Sequence, residues 1–175
     1  MDEAYSIVRL SRDVAERYLD ELCELANQIP MVEYTASDIL SESKKDRQLL
    51  DKWEHSFIAL ESDTPVGFIM GYERKSEDNE QYPQDTIYIS ELAVGKPYRK
   101  KGIAKALLKH FIEQNNKLGF LSLSGDINYS VQTNSAEWNV HVIALYERFG
   151  FTERARKDYP NRTDVVLSYY PEPSK

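Results

Sequence analysis

The residues best suited to chemistry crowd into one stretch, Glu91-Leu-Ala-Val-Gly-Lys-Pro-Tyr-Arg-Lys-Lys-Gly-Ile-Ala-Lys-Ala-Leu-Leu-Lys109. Six basic side chains (Lys96, Arg99, Lys100, Lys101, Lys105 and Lys109) lie between Gly95 and His110, with no acidic one among them. The chain as a whole is acidic, with 22 Lys+Arg against 29 Asp+Glu and a net charge of −7, so this concentration is out of character. The stretch reads as an apolar strand, a basic loop and the first turn of a helix. The first N–H groups of a helix have no internal partner, and the macrodipole places positive potential there. Gly102 removes a side chain where a ligand would need to approach the backbone. Together these make an anion site, and the natural anion is a phosphate or pyrophosphate. The loop has neither the Gly-x-x-x-x-Gly-Lys-[Ser/Thr] pattern of a Walker site nor the Gly-x-Gly-x-x-Gly of a dinucleotide fold.

Three more side chains ask for a reason. Glu91 is a carboxylate in an otherwise apolar strand, and left to itself it reads as edge-facing or salt-bridged. Tyr146 left to itself reads as a core aromatic beside Trp138, Leu145 and Phe149, and Asn139 as a surface helix residue. His55, His110 and His141 have no metal-ligand spacing, and no metal site is expected. The single cysteine, Cys23, excludes an internal disulfide and reads as a buried helix residue.

The elements that must position these groups follow from periodicity. Ser6–Leu10 predicts a first strand. Ser11 predicts an N-cap before a helix whose Val14, Tyr18, Leu22 and Leu25 face inward up to Pro30. Thr35 or Ser37 would cap a second helix carrying Ile39, Leu40, Leu49, Leu50 and Trp53. His55–Glu61 and Val66–Glu73 form a hairpin around Asp63-Thr64-Pro65, and Lys75 to Asp85 is a loop. Thr86–Val94 is a long strand, and Gly102–Leu118 a helix with Gly119 as its stop. Phe120–Asn128 is ambiguous. Tyr129–Asn134 is a strand, and Ser135 caps a helix through Phe149 that Gly150 ends. Thr152–Tyr159 and Thr163–Tyr170 close the chain as a hairpin. The fold class is α/β, a mixed central sheet with helices on both faces, in a single domain over 1–170 with a tail at 171–175.

Composition sets further bounds. An acidic chain is a poor general nucleic-acid binder, so an RNA-contacting phosphate-binding domain is disfavoured. No apolar run approaches the ~20 residues of a membrane span. The N-terminus lacks the order of a secretory signal, so the expected compartment is the cytoplasm.

Arg99-Lys100-Lys101-Gly102-Ile103-Ala104 matches [Gln/Arg]-x-x-Gly-x-[Gly/Ala], and Asn139 followed by Ala144-Leu-Tyr-Glu-Arg-Phe-Gly-Phe151 matches Asn-x-x-x-x-Ala-Leu-Tyr-Glu-x-x-Gly-Phe. In both segments the chain resembles the GCN5-related N-acetyltransferase superfamily. The resemblance implies acetyl-CoA as donor, bound in a cleft where two parallel strands, Thr86–Val94 and Tyr129–Asn134, splay apart. It implies that the backbone of Leu92, Ala93 and Val94 holds the pantetheine arm and polarises the thioester carbonyl. Arg99, Lys100, Lys101, Gly102, Ile103 and Ala104 would hold the pyrophosphate, and Asn139 the pantetheine. Tyr146 would be the general acid at sulfur, a phenol with a pKa near ~10 being protonated at neutral pH. Glu91 would be the base, since burial raises a carboxylate toward a base's working range, with a chain of waters or Glu73 on the neighbouring strand as the alternatives. With the basic loop reserved for the donor, the remaining surface is acidic and suits a cationic amine: a polyamine, an aminoglycoside-like antibiotic, or a lysine or N-terminal amine. Glu16, Glu21, Glu24, Glu33 and Glu73 are candidate amine contacts. Homodimers are common in the family. The competing reading is a non-catalytic acyl-CoA-binding or regulatory module.

Overall fold

A computed structural model describes residues 4–29, 33–45, 47–75, 86–117 and 130–170. The predicted Lys75–Asp85 loop falls outside these beyond Lys75, as do the Phe120–Asn128 segment, Gly119 and the 171–175 tail. Strands β1 (Ser6–Arg9), β4 (Phe57–Glu61), β5 (Thr64–Arg74), β6 (Thr86–Val94), β7 (Ser130–Ala136), β8 (Thr152–Tyr159) and β9 (Arg162–Tyr169) form a mixed sheet in the order β1-β4-β5-β6-β7-β9-β8. A separate small hairpin joins β2 (Ser43–Lys44) to β3 (Arg47–Gln48). The described residues divide into two compact units, one within 1–72 and 91–115, the other within 73–90 and 116–175.

In the first unit β4 pairs antiparallel with β1 and β5. Period-two alternation sends Ile58 and its register partner Phe68 to one face and Phe57 and Ile69 to the other. The Ile58 face, with Met70 and Ala93, packs on Leu10, Ala15, Tyr18, Leu22, Leu25 and Ile39 of the helical N-terminal segment. On the Phe57 face, Phe111 of helix α4 (Ile103–Lys117) lies edge-on to Phe57 at 6.5 Å between centroids. Helices therefore cover both faces of this unit. The hairpin turn is tighter than predicted. Glu61 already pairs with Thr64, so the turn is Ser62-Asp63, with Ser62 at a positive φ of 55°. Pro65 sits in the strand beside a bulge, where a missing N–H costs no ladder bond.

Two helical expectations in the first unit need correction. The first helix is two, α1 (Arg12–Arg17) and α2 (Leu19–Ala26), because Tyr18 leaves helical geometry at φ −111°, ψ 29°. Ser11 caps α1 as predicted, its side chain accepting from the Val14 N–H. The helix capped by Thr35 stops at Leu40 as α3 (Ala36–Leu40). Leu49, Leu50 and Trp53 lie beyond it, after a hairpin whose turn places Lys45 at φ 55°. Thr35 and Asp38 form a capping box that starts α3 and leaves Ser37 inside it.

In the second unit β6 pairs parallel with β7 from Thr86↔Ser130 to Ile89↔Thr133, and β6 itself continues to Val94. β7 pairs antiparallel with β9 up to Ala136↔Asp164, and the Glu137 N–H reaches Thr163 O at 2.9 Å. Ser135 is therefore held in a strand and caps nothing. Helix α5 (Val140–Arg148) begins later, with Asn139 at its N-cap, and Trp138 sits in the intervening turn, 48% exposed, instead of on the inner helix face. Gly150, at φ +94°, ends the helix as expected.

Candidate functional site

In the first unit the end of β6 runs through a basic loop into the start of α4. The Gly95 N–H donates to Val66 O of β5 at 2.9 Å. Backbone groups of alternate residues point to the same edge of a strand, so Ala93 and Gly95 face β5 while Leu92 and Val94 present theirs to the opposite edge. That is the orientation needed to bind an extended ligand arm along β6. The Val94 carbonyl already accepts from Arg99 Nε at 3.0 Å. That bond ties the Arg99 side chain to the loop base. A 3-10 turn over Lys96–Tyr98 follows, anchored by Gln28 Oε1 accepting from the Lys96 N–H at 2.9 Å. Lys100 at φ 63° and Gly102 at φ 82° then reverse the chain into α4. A Cβ built on Gly102 meets nothing within 4 Å. The space in front of the loop is open, the loop is exposed, and its charge is basic, so the residues present fit a diphosphate. Ile103 is buried and pins the first turn of the helix to the core, while Ala104 is half-buried and Lys101 exposed, its Nζ 5.4 Å from the Tyr98 ring centroid.

Glu91 lies two residues before Ala93 and so shares its face of β6, toward α1–α3. It is half-buried and accepts a hydrogen bond from the Tyr34 hydroxyl. Glu73 is more deeply buried and stands 3.6 Å from Lys75 Nζ. Glu16, Glu21, Glu24 and Glu33 are exposed, and Glu16 pairs with Arg12 at 3.2 Å.

Sequence reasoning missed Lys52. It is 5% exposed, and its Nζ donates to the Ile39 and Ser41 carbonyls at 2.6 and 2.7 Å, closing the end of α3. Burial lowers its pKa to about 8, with the charges of Glu91 and Glu42 opposing part of that drop. Lys52 stands between Asp51 and Trp53, and a lysine beside an apolar residue ordinarily keeps its amine in water, so nothing in the local sequence marks this one for burial. The linkage sign follows directly. Between pH 8 and 10.5 the unfolded chain binds this proton more readily than the folded one, so this group's contribution to stability rises with pH across that window and is flat below it. The stability difference between wild type and Lys52→Met should therefore grow with pH from about 8 upward, by on the order of 3 kcal/mol at most. Urea titrations at pH 7.5 and 9.5 would check this, and a pH-independent difference would remove the charge from the argument.

In the second unit Tyr146, in the last turn of α5, is 3% exposed. Its ring meets Phe151 edge-on at 5.0 Å, and Phe151 in turn lies 5.4 Å from Tyr169. Asn139 caps no backbone N–H with its side chain; its carbonyl accepts from Val142 and Ile143 at 3.1 Å each. Cys23 is half-buried, and burial raises its thiol pKa, which makes it a poor nucleophile. His55 Nδ1 lies 2.6 Å from Asn115 Oδ1 in the core, His110 packs edge-on to Phe57 at 4.8 Å, and His141 is exposed. Among the described residues no group of His, Cys, Asp or Glu is arranged to hold a metal ion, and no helix is long and apolar enough to cross a membrane.

Residues 19–151 match the model of the acetyltransferase (GNAT) family. The chain is 33% identical over 92 residues to the [ribosomal protein bS18]-alanine N-acetyltransferase of Escherichia coli K12, a stretch covering 50% of this chain and 57% of that protein. It is 31% identical over 101 residues to a probable spermine N(1)-acetyltransferase of Bacillus subtilis subsp. natto, covering 58% of this chain and 61% of that one. The matched stretches thus span less than two thirds of these relatives. In structure the chain resembles Arabidopsis thaliana NAA60 in complex with acetyl-CoA, with a TM-score of 0.69 at 18% identity over 95% of this chain and 99% of that one.

Proposed function

The chain belongs to the acetyltransferase (GNAT) family, and from that premise we propose that it is an acetyl-CoA-dependent N-acetyltransferase acting on a primary amine of a small cationic or peptide acceptor, with residues 1–170 as one catalytic domain. The observation that carries this is the basic turn at Arg99–Ala104, open in front of Gly102 and continuous with a strand that offers its Leu92 and Val94 backbone. Acetyl-CoA supplies the acyl thioester. The N–H groups of 99–104 and the charges of Arg99, Lys100 and Lys101 hold its diphosphate, and Leu92, Ala93 and Val94 hold its pantetheine, joined by Asn139. A fixed N–H on that strand polarises the thioester carbonyl, an effect of about 3 kcal/mol per donor. Glu91 takes the proton that the amine must lose, and Tyr146 returns one to the leaving sulfur.

The acceptor side follows from charge. The net charge is −7, and six of the 22 basic residues lie between Gly95 and His110, so the rest of the chain is acidic and suited to cations. The protein acts in the cytoplasm in this reading. The test is thiol release from acetyl-CoA with spermine, an alanine-initiated peptide, an aminoglycoside and free lysine. Turnover with any of them supports the reading. Tight acetyl-CoA binding with no turnover would favour the non-catalytic acyl-CoA-binding module instead. Tyr146→Phe should lower kcat about 100-fold while leaving acetyl-CoA affinity within a factor of two or so. An unchanged kcat would remove it as the acid.

A further inference from the structure

Tyr34 lies between α2 and α3, outside any helix or strand, yet it is fixed on both sides. The Asn27 side chain brackets its backbone, Oδ1 accepting from the Tyr34 N–H at 2.7 Å and Nδ2 donating to the Tyr34 carbonyl at 3.2 Å. The next residue, Thr35, is locked by the capping box of α3, with its N–H donating to Asp38 Oδ2 at 2.8 Å. Three polar contacts therefore immobilise a coil residue that contributes half-buried area only. What they hold in place is a phenol that donates to Glu91 Oε1, across 57 residues of sequence. A glutamate has three side-chain torsions, and one directed hydrogen bond removes most of their freedom. Lys52 adds a longer-range attraction to the same carboxylate from its seat on the Ile39 and Ser41 carbonyls.

We propose that Tyr34 is a positioning residue for Glu91: clamped by Asn27, its phenol fixes the rotamer and plane of the carboxylate that takes the proton from the acceptor amine. This rests on the assignment of Glu91 as base. A base must be within hydrogen-bond reach of the proton it removes, so an untethered carboxylate spends most of its time misdirected.

The test is a double-mutant cycle on kcat, with spermine and the alanine peptide as acceptors. Glu91→Gln should lower kcat about 100-fold. Tyr34→Phe should lower it about tenfold, with KM for acetyl-CoA and the melting midpoint nearly unchanged. The double variant should be no slower than Glu91→Gln alone, because there is no longer a base to orient. Asn27→Ala, which keeps the phenol but loosens its backbone, should reproduce part of the Tyr34→Phe loss. If Glu91→Gln is fully active, the base assignment falls and takes this inference with it. If Glu91→Gln is slow but Tyr34→Phe is fully active, or the two losses multiply in the double variant, Glu91 stands and the positioning role is overturned. A loss of melting midpoint with an equal loss in both Glu91 backgrounds would mark Tyr34 as structural only.

Discussion

Gly102→Glu should abolish coenzyme A binding while leaving the protein folded. A Cβ at this position meets no atom within 4 Å, so the substitution creates no steric conflict within the protein. Its internal cost is the positive φ of 82°, which for a residue with a side chain amounts to about 1 kcal/mol. The large effect comes from the ligand. A carboxylate brought within about 4 Å of a phosphate charge costs on the order of 4 kcal/mol at an effective dielectric near 20. That corresponds to a loss of affinity of roughly 1,000-fold. Gly102→Ala separates the two terms, since it carries the same strain and no charge. It should lose about the same stability as the glutamate variant and only a few-fold in affinity. Calorimetric titration of both variants with coenzyme A, beside their urea midpoints, checks the pair. Near-normal affinity in Gly102→Glu would overturn the assignment of this turn to the diphosphate.

The turn was legible because its signals are local. Strand β6 runs over Thr86–Val94 as predicted, and α4 starts one residue after Gly102, because an apolar run, a basic Gly-containing loop and a single helical stripe follow one another without interruption. The second helix was misread for the opposite reason. Ile39, Leu40, Leu49, Leu50 and Trp53 fit a helical stripe only if the eight residues from Ser41 to Gln48, none of them apolar, are allowed to continue it. A helix needs an apolar contact about every turn to stay on a core, and this segment folds back as a hairpin. The start of α5 turned on two capping candidates. Asn139 is as good an N-cap residue as Ser135, and the choice between them was made by pairing of β7 with β9, which no window around residue 135 contains. The Tyr34–Glu91 contact and the buried Lys52 lay beyond reach altogether. Each depends on residues brought together by the fold, and neither leaves a periodicity or a motif behind.

The largest structural effect is expected at Gly67, a residue with no chemistry of its own. It lies on the α4 face of β5, opposite Ala59, and a Cβ there would stand 2.9 Å from the Ala93 carbonyl oxygen, 3.1 Å from Val94 Cγ2 and 3.3 Å from Leu107 Cδ1. The nearest of these is backbone and cannot swing aside. Relief requires β6 to shift, and β6 is the strand that carries Leu92, Val94 and Glu91. Gly67→Val should therefore cost more than 3 kcal/mol, at the upper end of overpacking effects, and leave little folded protein. Gly67→Ala keeps the argument measurable, with an expected loss of about 2 kcal/mol in urea denaturation. The displaced strand gives this variant a second signature. Its coenzyme A affinity should fall more than tenfold even at temperatures where it is fully folded, because the Leu92 and Val94 N–H groups no longer stand where the loop and α4 hold the diphosphate. A Gly67→Ala protein with wild-type midpoint and wild-type affinity would mean that β5 and β6 can separate freely at this level. The glycine would then have no part in placing the cofactor strand.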